Sequence, residues 1–246
     1  QVSPGMAVAD VMKLRLDKFL ADMGYGTRSG IKKEITKGSV TVNGTVTKKP
    51  ETKIDTEQDR VCFHGEEAAY EQYEYFMLNK PEGVVCATSD RRERTVLDLI
   101  EDKKGDDLFP VGRLDKDTEG LLLVTNNGEL AHRLLSPKKH VDKVYFARVR
   151  GAVTDEDIKQ FSEGMDIGDE KKTLPAGLRI LSSGEISETE ITIREGRFHQ
   201  VKRMFAAAGK EVIYLKRLRM GPLILDESLA PGEYRRLTDK EVAELC

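Results

Sequence analysis

The chain has 246 residues, 39 % of them hydrophobic and 34 % charged, with a formal net charge of −3. That length allows one large domain or a small one plus a medium one, and the composition fits a globular fold rather than a disordered chain. No apolar run approaches the ~20 residues of a membrane-spanning helix and no secretory leader is visible, while Cys62, Cys86, Cys246 and the four histidines lack the spacing of a disulfide framework or a zinc site. The expectation is a cytoplasmic protein without a structural metal.

Residues 1–12 read as a loose tail or an expression remnant, because Met12-Lys13-Leu14 would be a natural start. Leu16, Phe19, Leu20 and Met23 follow the spacing of one helix face, and Gly24 can end that helix. Thr27 can cap a second helix with Ile31 and Ile35 inward, closed by Gly38. Val40 and Val42 then alternate, Asn43-Gly44 marks a type I′ turn, and Thr45-Val46-Thr47 returns. Residues 13–65 therefore read as a helix-helix-hairpin module, small for an independent core and of a size that usually positions something else. Residues 66–74 read as a linker.

From 75 onward, strands are predicted over 75–78, 83–88, 121–125, 144–150, 178–181, 190–194, 212–215, 222–225 and 233–237. Helices are predicted over 95–101, 129–135, 154–163, 199–208 and 239–245. Strands and helices mix without a βαβ period, which predicts an α+β domain over 75–246 with a large, mostly antiparallel sheet. Charge is unevenly spread. Residues 13–49 hold nine Lys/Arg against three Asp/Glu, and residues 191–221 hold eight against two. Such stretches suggest anion-binding faces, although lysines also simply solvate helices. Arg28, Lys32, Lys33 and Lys37 fall on or near the second helix.

The most informative stretch is Gly112-Arg113-Leu114-Asp115-Lys116-Asp117-Thr118-Glu119-Gly120, followed by the apolar run 121–124. Arg113 and Lys116 flank Asp115 and favour its ionised form, which can attack carbon or take a proton. The bland reading is a salt-bridged turn. Asp115, Asp117, Glu119 and Gly120 also match positions 1, 3, 5 and 6 of a calcium loop, but the twelfth position is Asn126, where a bidentate Glu is required. A hydrolase pairing Asp115 with Asp117 or Glu119 is a further option, although such pairs usually converge from separate elements.

A second stretch, Glu195-Gly196-Arg197-Phe198-His199-Gln200-Val201-Lys202-Arg203-Met204, reads as strand, turn and helix start, an anion-favouring place with Lys202 and Arg203 beside it. Val201, Phe205 and Ala208 would form the inward face of the same helix. A third, Lys143-Val144-Tyr145, carries a tyrosine that either stacks on a base or fills the core.

Taken in this order, the Asp115 loop, the Lys143-x-Tyr145 strand and the 195–204 stretch resemble the RsuA family of pseudouridine synthases. The stretches 76–81 and 229–235 match as well, and residues 13–65 resemble the small RNA-binding domain first known from ribosomal protein S-four. The resemblance spans nearly the whole chain from Leu14. It implies that Asp115 is the catalytic aspartate, that Tyr145 stacks on the target base, that Lys202 pairs with the aspartate, and that Leu215 packs beside the uracil. Arg113, Arg203, Arg28, Lys32 and Lys33 would contact RNA. The implied partner is ribosomal RNA, small-subunit (16S) by the His199-Gln200-Val201-Lys202 pattern, either naked or within a ribonucleoprotein particle. No cofactor and no membrane are implied, and a monomer is expected. Alternatives are a large-subunit enzyme or a non-catalytic RNA- or ribosome-binding protein, against which a lone acid in an RNA cleft argues because it would repel phosphate.

Overall fold

The computed structural model describes residues 13–69 and 73–246. The tail expected over 1–12, and residues 70–72 of the expected linker, lie outside the described residues. The chain forms two compact units, whose described parts are 13–69 with 102–107, and 73–101 with 108–246.

In the first unit, β1 (Lys13–Arg15) leads into α1 (Leu16–Asp22) and α2 (Arg28–Lys37). Thr27 accepts from the Gly30 N–H at 3.2 Å, and Gly38 closes α2 in the left-handed region. The hairpin of β2 (Val40–Val42) and β3 (Thr45–Val46) turns through Asn43 and Gly44, both at positive φ, as a type I′ turn requires. Leu16, Phe19, Leu20, Ile31, Ile35 and Val40 fill one core. Four short strands escaped the sequence reading: β4 (Lys53–Asp55), which pairs with β1, and β5 (Val61–Phe63) and β6 (Glu66–Glu67), which extend the hairpin to a sheet of order β3-β2-β5-β6, with β1 the fourth. The sheet thus runs into the segment expected as a linker, and Ala68 is buried in the core.

The second unit comprises β7 (Tyr75–Lys80), β8 (Phe109–Val111), β9 (Glu119–Thr125), α3 (Gly128–Leu135), β10 (Lys143–Arg150) and α4 (Asp155–Glu163). It continues with β11 (Gly177–Ser182), β12 (Ile186–Ile193), α5 (Gln200–Ala207), β13 (Glu211–Met220), β14 (Leu223–Ile224), β15 (Tyr234–Arg236) and α6 (Asp239–Leu245). The strands make one sheet of order β11-β12-β10-β13-β9-β7-β15, with β8 on β9 and β14 on β13. Among the described strand pairings of this sheet only β9–β13 is parallel, so the α+β expectation with a mostly antiparallel sheet holds.

The apolar run at 121–124 follows from burial on both faces. Leu122 and Val124 enter one core with Tyr145, Val201 and Leu215, whereas Leu121 and Leu123 enter another with α3 residues. Two predicted elements shrink. Residues 83–88 give a single bridge, Val85 to Thr95, and the helix over 95–101 is one 3₁₀ turn, Val96–Leu99, capped by Thr95 and Asp98. No helix of the described residues is long and apolar enough to cross a membrane.

Gly120 enters β9 at φ +105°, opposite Arg217 of β13. A Cβ there would lie 2.2 Å from the Arg217 carbonyl oxygen and 2.7 Å from its nitrogen. Gly120→Ala should therefore lower unfolding stability by about 3 kcal/mol. Urea denaturation checks this, and a loss near zero would mean that the parallel pairing tolerates a wider separation.

Candidate active site

Asp115 follows β8 on the loop into β9, and four sets of contacts hold that loop. Lys80, fully buried at the end of β7, directs its ammonium into the carbonyls of Pro81 (2.9 Å), Lys116 (3.2 Å) and Thr118 (2.8 Å). Three acceptors match its three N–H groups, so the cation survives burial, although burial pulls its pKa below that of ordinary lysine. The Leu114 N–H donates to Cys86 Sγ at 3.3 Å, and Thr118 N–H donates to the Asp115 carbonyl at 3.0 Å. Glu119 accepts from the Tyr214 hydroxyl at 2.7 Å, and burial together with that acid pushes the phenol up to about 12.

The side chains that meet Asp115 come from α5 and its cap. Lys202 Nζ lies 3.0 Å from Asp115 Oδ2 and 2.6 Å from Asp117 Oδ1, and His199 Nε2 lies 3.3 Å from Asp115 Oδ1. His199 caps α5 in the left-handed region at φ +48°, a rare place for a residue other than glycine. The turn before it is clamped. Arg197 reaches Glu195 (3.0 Å), the Lys171 carbonyl (2.6 Å) and the Lys172 carbonyl (2.8 Å), while Gln200 joins Glu195 to the Arg197 N–H.

This arrangement corrects the origin of the local charge. The sequence neighbours do not pair with Asp115: Lys116 turns to Glu93 at 2.8 Å, and Arg113 is exposed without a hydrogen bond or ion pair among the described residues. Successive side chains of an extended loop point apart, so adjacency in sequence does not give contact. Nor do the three acids converge, since Asp115 and Asp117 share Lys202 while Glu119 faces Tyr214. That divergence also removes the calcium reading, and no metal-ligating group of three forms among the described residues.

Tyr145 is 7 % exposed and Leu215 5 %, both in the core cluster that contains Leu114. Arg203 is not brought to Asp115; its guanidinium binds Asp169 (2.5 Å) and the carbonyls of Ile167 (2.6 Å) and Phe198 (3.0 Å). In the first unit, Arg28 and Lys32 approach the buried Asp17 at 3.4 and 3.9 Å, whereas Lys33 is exposed with no partner among the described residues. The sequence reading missed Lys80, His199 as an Asp115 contact, and Arg217. Arg217 is 2 % exposed, its Nε donates to the Leu121 carbonyl at 2.8 Å, and its Nη2 has no hydrogen-bond partner among the described residues. A cavity of about 560 Å³ bordered by Val144, Lys216, Arg219 and Ile224 shares no residue with the Asp115 cluster.

Burial disfavours the Lys202 ammonium, but hydrogen bonds to Asp117 and Asp115 outweigh it and lift its pKa above the ordinary value. The Lys202 hydrogen bond holds Asp117 below the usual carboxylate range. The lysine's contribution to stability is present below its unfolded value and lost as pH rises through the folded one. That of Asp117 is present above its unfolded value and lost as pH falls. The destabilisation caused by Lys202→Met should therefore peak at neutral pH and shrink below about pH 4 and above about pH 10.5. Urea titrations across pH test this; a pH-independent difference would remove the ion pair as its cause.

Comparison with known proteins places nearly the whole chain. The RNA pseudouridylate synthase model matches residues 74–207, and the S4 domain model matches residues 14–61. The Uncharacterized RNA pseudouridine synthase YtzG of Bacillus subtilis (strain 168) is 47 % identical over 232 residues, which is 93 % of this chain and 97 % of that protein. Ribosomal small subunit pseudouridine synthase A of Escherichia coli (strain K12) is 42 % identical over 94 % of this chain and 100 % of its own length. A solved structure described as a crystal structure of pseudouridylate synthase matches at TM-score 0.67 and 41 % identity, over 95 % of this chain and 100 % of that one. With an S4 domain ahead of its catalytic domain, the chain belongs to the RNA pseudouridylate synthase family, as the resemblance to RsuA implied.

Proposed function

We propose that this enzyme converts uridine to pseudouridine in ribosomal RNA, with the small-subunit RNA as its substrate. The carrying observation is the contact of Lys202 Nζ with Asp115 Oδ2 at 3.0 Å, on a loop fixed from beneath by Lys80. The names of relatives at 42 % identity over nearly the whole chain support the choice of the small subunit.

The reaction breaks the glycosidic bond, turns the uracil and joins C5 to C1′. Nothing is consumed, so a single carboxylate suffices where glycoside hydrolysis needs two carboxylates and room for water. A stacked uridine cannot be reached and must leave the helix first. Asp115 then acts on the sugar or the base, as nucleophile or as proton acceptor. Lys202 holds the carboxylate in place. Tyr145 stacks on the extruded uracil, Leu215 packs beside it, and Arg113 meets the RNA near the site, while Arg203, expected from the sequence to do the same, stays bound to Asp169. Lys33 holds phosphate through the first unit, beside Arg28 and Lys32, whose charge Asp17 partly offsets, with an affinity that falls steeply with salt. The enzyme works as a monomer in the cytoplasm, without a cofactor.

Asp115→Asn keeps the shape of the side chain and removes one charge. It should leave folding and RNA binding nearly intact and lower turnover by about 10³-fold or more. Tritium release from 5-labelled uridine in ribosomal RNA measures this, and release at the wild-type rate refutes the assignment. Deleting residues 1–65 should raise KM about tenfold at physiological salt with little change in kcat. An unchanged KM would count against RNA capture by the first unit.

A further inference from the structure

Phe198 is 76 % exposed, more than any other large apolar side chain among the described residues. One face of its ring lies on the His199 imidazole, with centroids 3.8 Å apart and planes 18° from parallel. That imidazole reaches Asp115 at 3.3 Å, so ring, imidazole and carboxylate form one continuous series. The backbone beneath is fixed: the Phe198 carbonyl accepts from Arg203 Nη1 at 3.0 Å, Arg197 is clamped to Glu195 and the 171–172 carbonyls, and His199 holds a left-handed φ. The protein therefore holds an apolar ring in water, beside its reactive acid, with its second face uncovered.

Such a ring suits one kind of occupant. Every nucleobase has a flat apolar face, and stacking on an aromatic side chain needs no hydrogen bond from the ring. Extruding a uridine also leaves its neighbours in the strand without a stacking partner on one side. We propose that Phe198 is a stacking platform for the base directly next to the target uridine, taking the place in the stack that the extruded base leaves. The inference rests on the RNA substrate proposed above, and it concerns a neighbouring base, not the reacting one.

The test compares full-length wild type with Phe198→Ala, Phe198→Leu and Phe198→Trp, using a small-subunit ribosomal RNA fragment. The side chain is exposed, so all three variants should fold. Fluorescence anisotropy should show Ala and Leu each weakening the complex about tenfold, within the range expected for one lost stack, and Trp restoring it to within about twofold. KM should rise about as much as Kd, with kcat changing less than about twofold. Single abasic sites walked along the fragment should include one, adjacent to the modified uridine, that weakens wild type but not the Ala variant. Wild-type affinity in Phe198→Ala, or rescue by Leu as complete as by Trp, would overturn the proposal. So would a fall in kcat alone, which would reduce Phe198 to a support for His199. Because Kd is read without turnover, absence of tritium release by wild type would refute the synthase reading and leave the stacking comparison standing.

Discussion

An ammonium group shared by two carboxylates organises this protein. Lys202 sits between Asp115 and Asp117; Lys202 and Asp115 are largely withdrawn from water, whereas Asp117 is exposed. A partly buried ion pair repays its desolvation only when its geometry is held. Both sides of this one are held independently. Buried Lys80, the Cys86 sulfur and the Tyr214–Glu119 contact fix the acid loop, while the Glu195-Arg197-Gln200 network fixes the start of α5. The sheet serves to carry these two anchored pieces to one place.

The same arrangement qualifies the count of basic residues in the sequence. Residues 191–221 look like a positive surface on paper, but Arg197 and Arg203 both bind Asp169, and Arg194 binds Asp142. In the first unit, Arg15, Arg28 and Lys32 surround the buried Asp17. Cations neutralised within the protein position loops and helices, and those left open, such as Lys33 and Arg113, are fewer than composition suggests. A single uncovered aromatic ring is a different means of holding RNA, one that salt does not screen.

Much of the architecture was legible from local pattern. The faces of α1 and α2, the Asn43-Gly44 turn and the doubly buried run of β9 each have a period or a turn chemistry that a window of a few residues contains. The elements missed lack such a window: β4, β5 and β6 have two or three residues each, and β8 is Phe109-Pro110-Val111, whose proline argues against a strand. The site divides in the same way. Asp115 and Lys202 were marked by the resemblance, but the contacts that give them meaning join residues 87 positions apart. No local pattern announces that Lys116 turns to Glu93, that His199 adopts a left-handed cap, or that Lys80 reaches three carbonyls.

The strand order carries one more implication. β13, near the C-terminus, lies between β10 and β9, so it is the central plank that joins two otherwise separate halves of the sheet. A ribosome delivers the helix-helix-hairpin unit complete, then the acid loop, then α5, and only afterwards the plank. Any nascent or truncated chain that ends before residue 211 would carry its S4 domain and every member of the charged cluster, yet have no continuous sheet on which to align the cluster. The acid loop and α5 would then stand on unjoined halves.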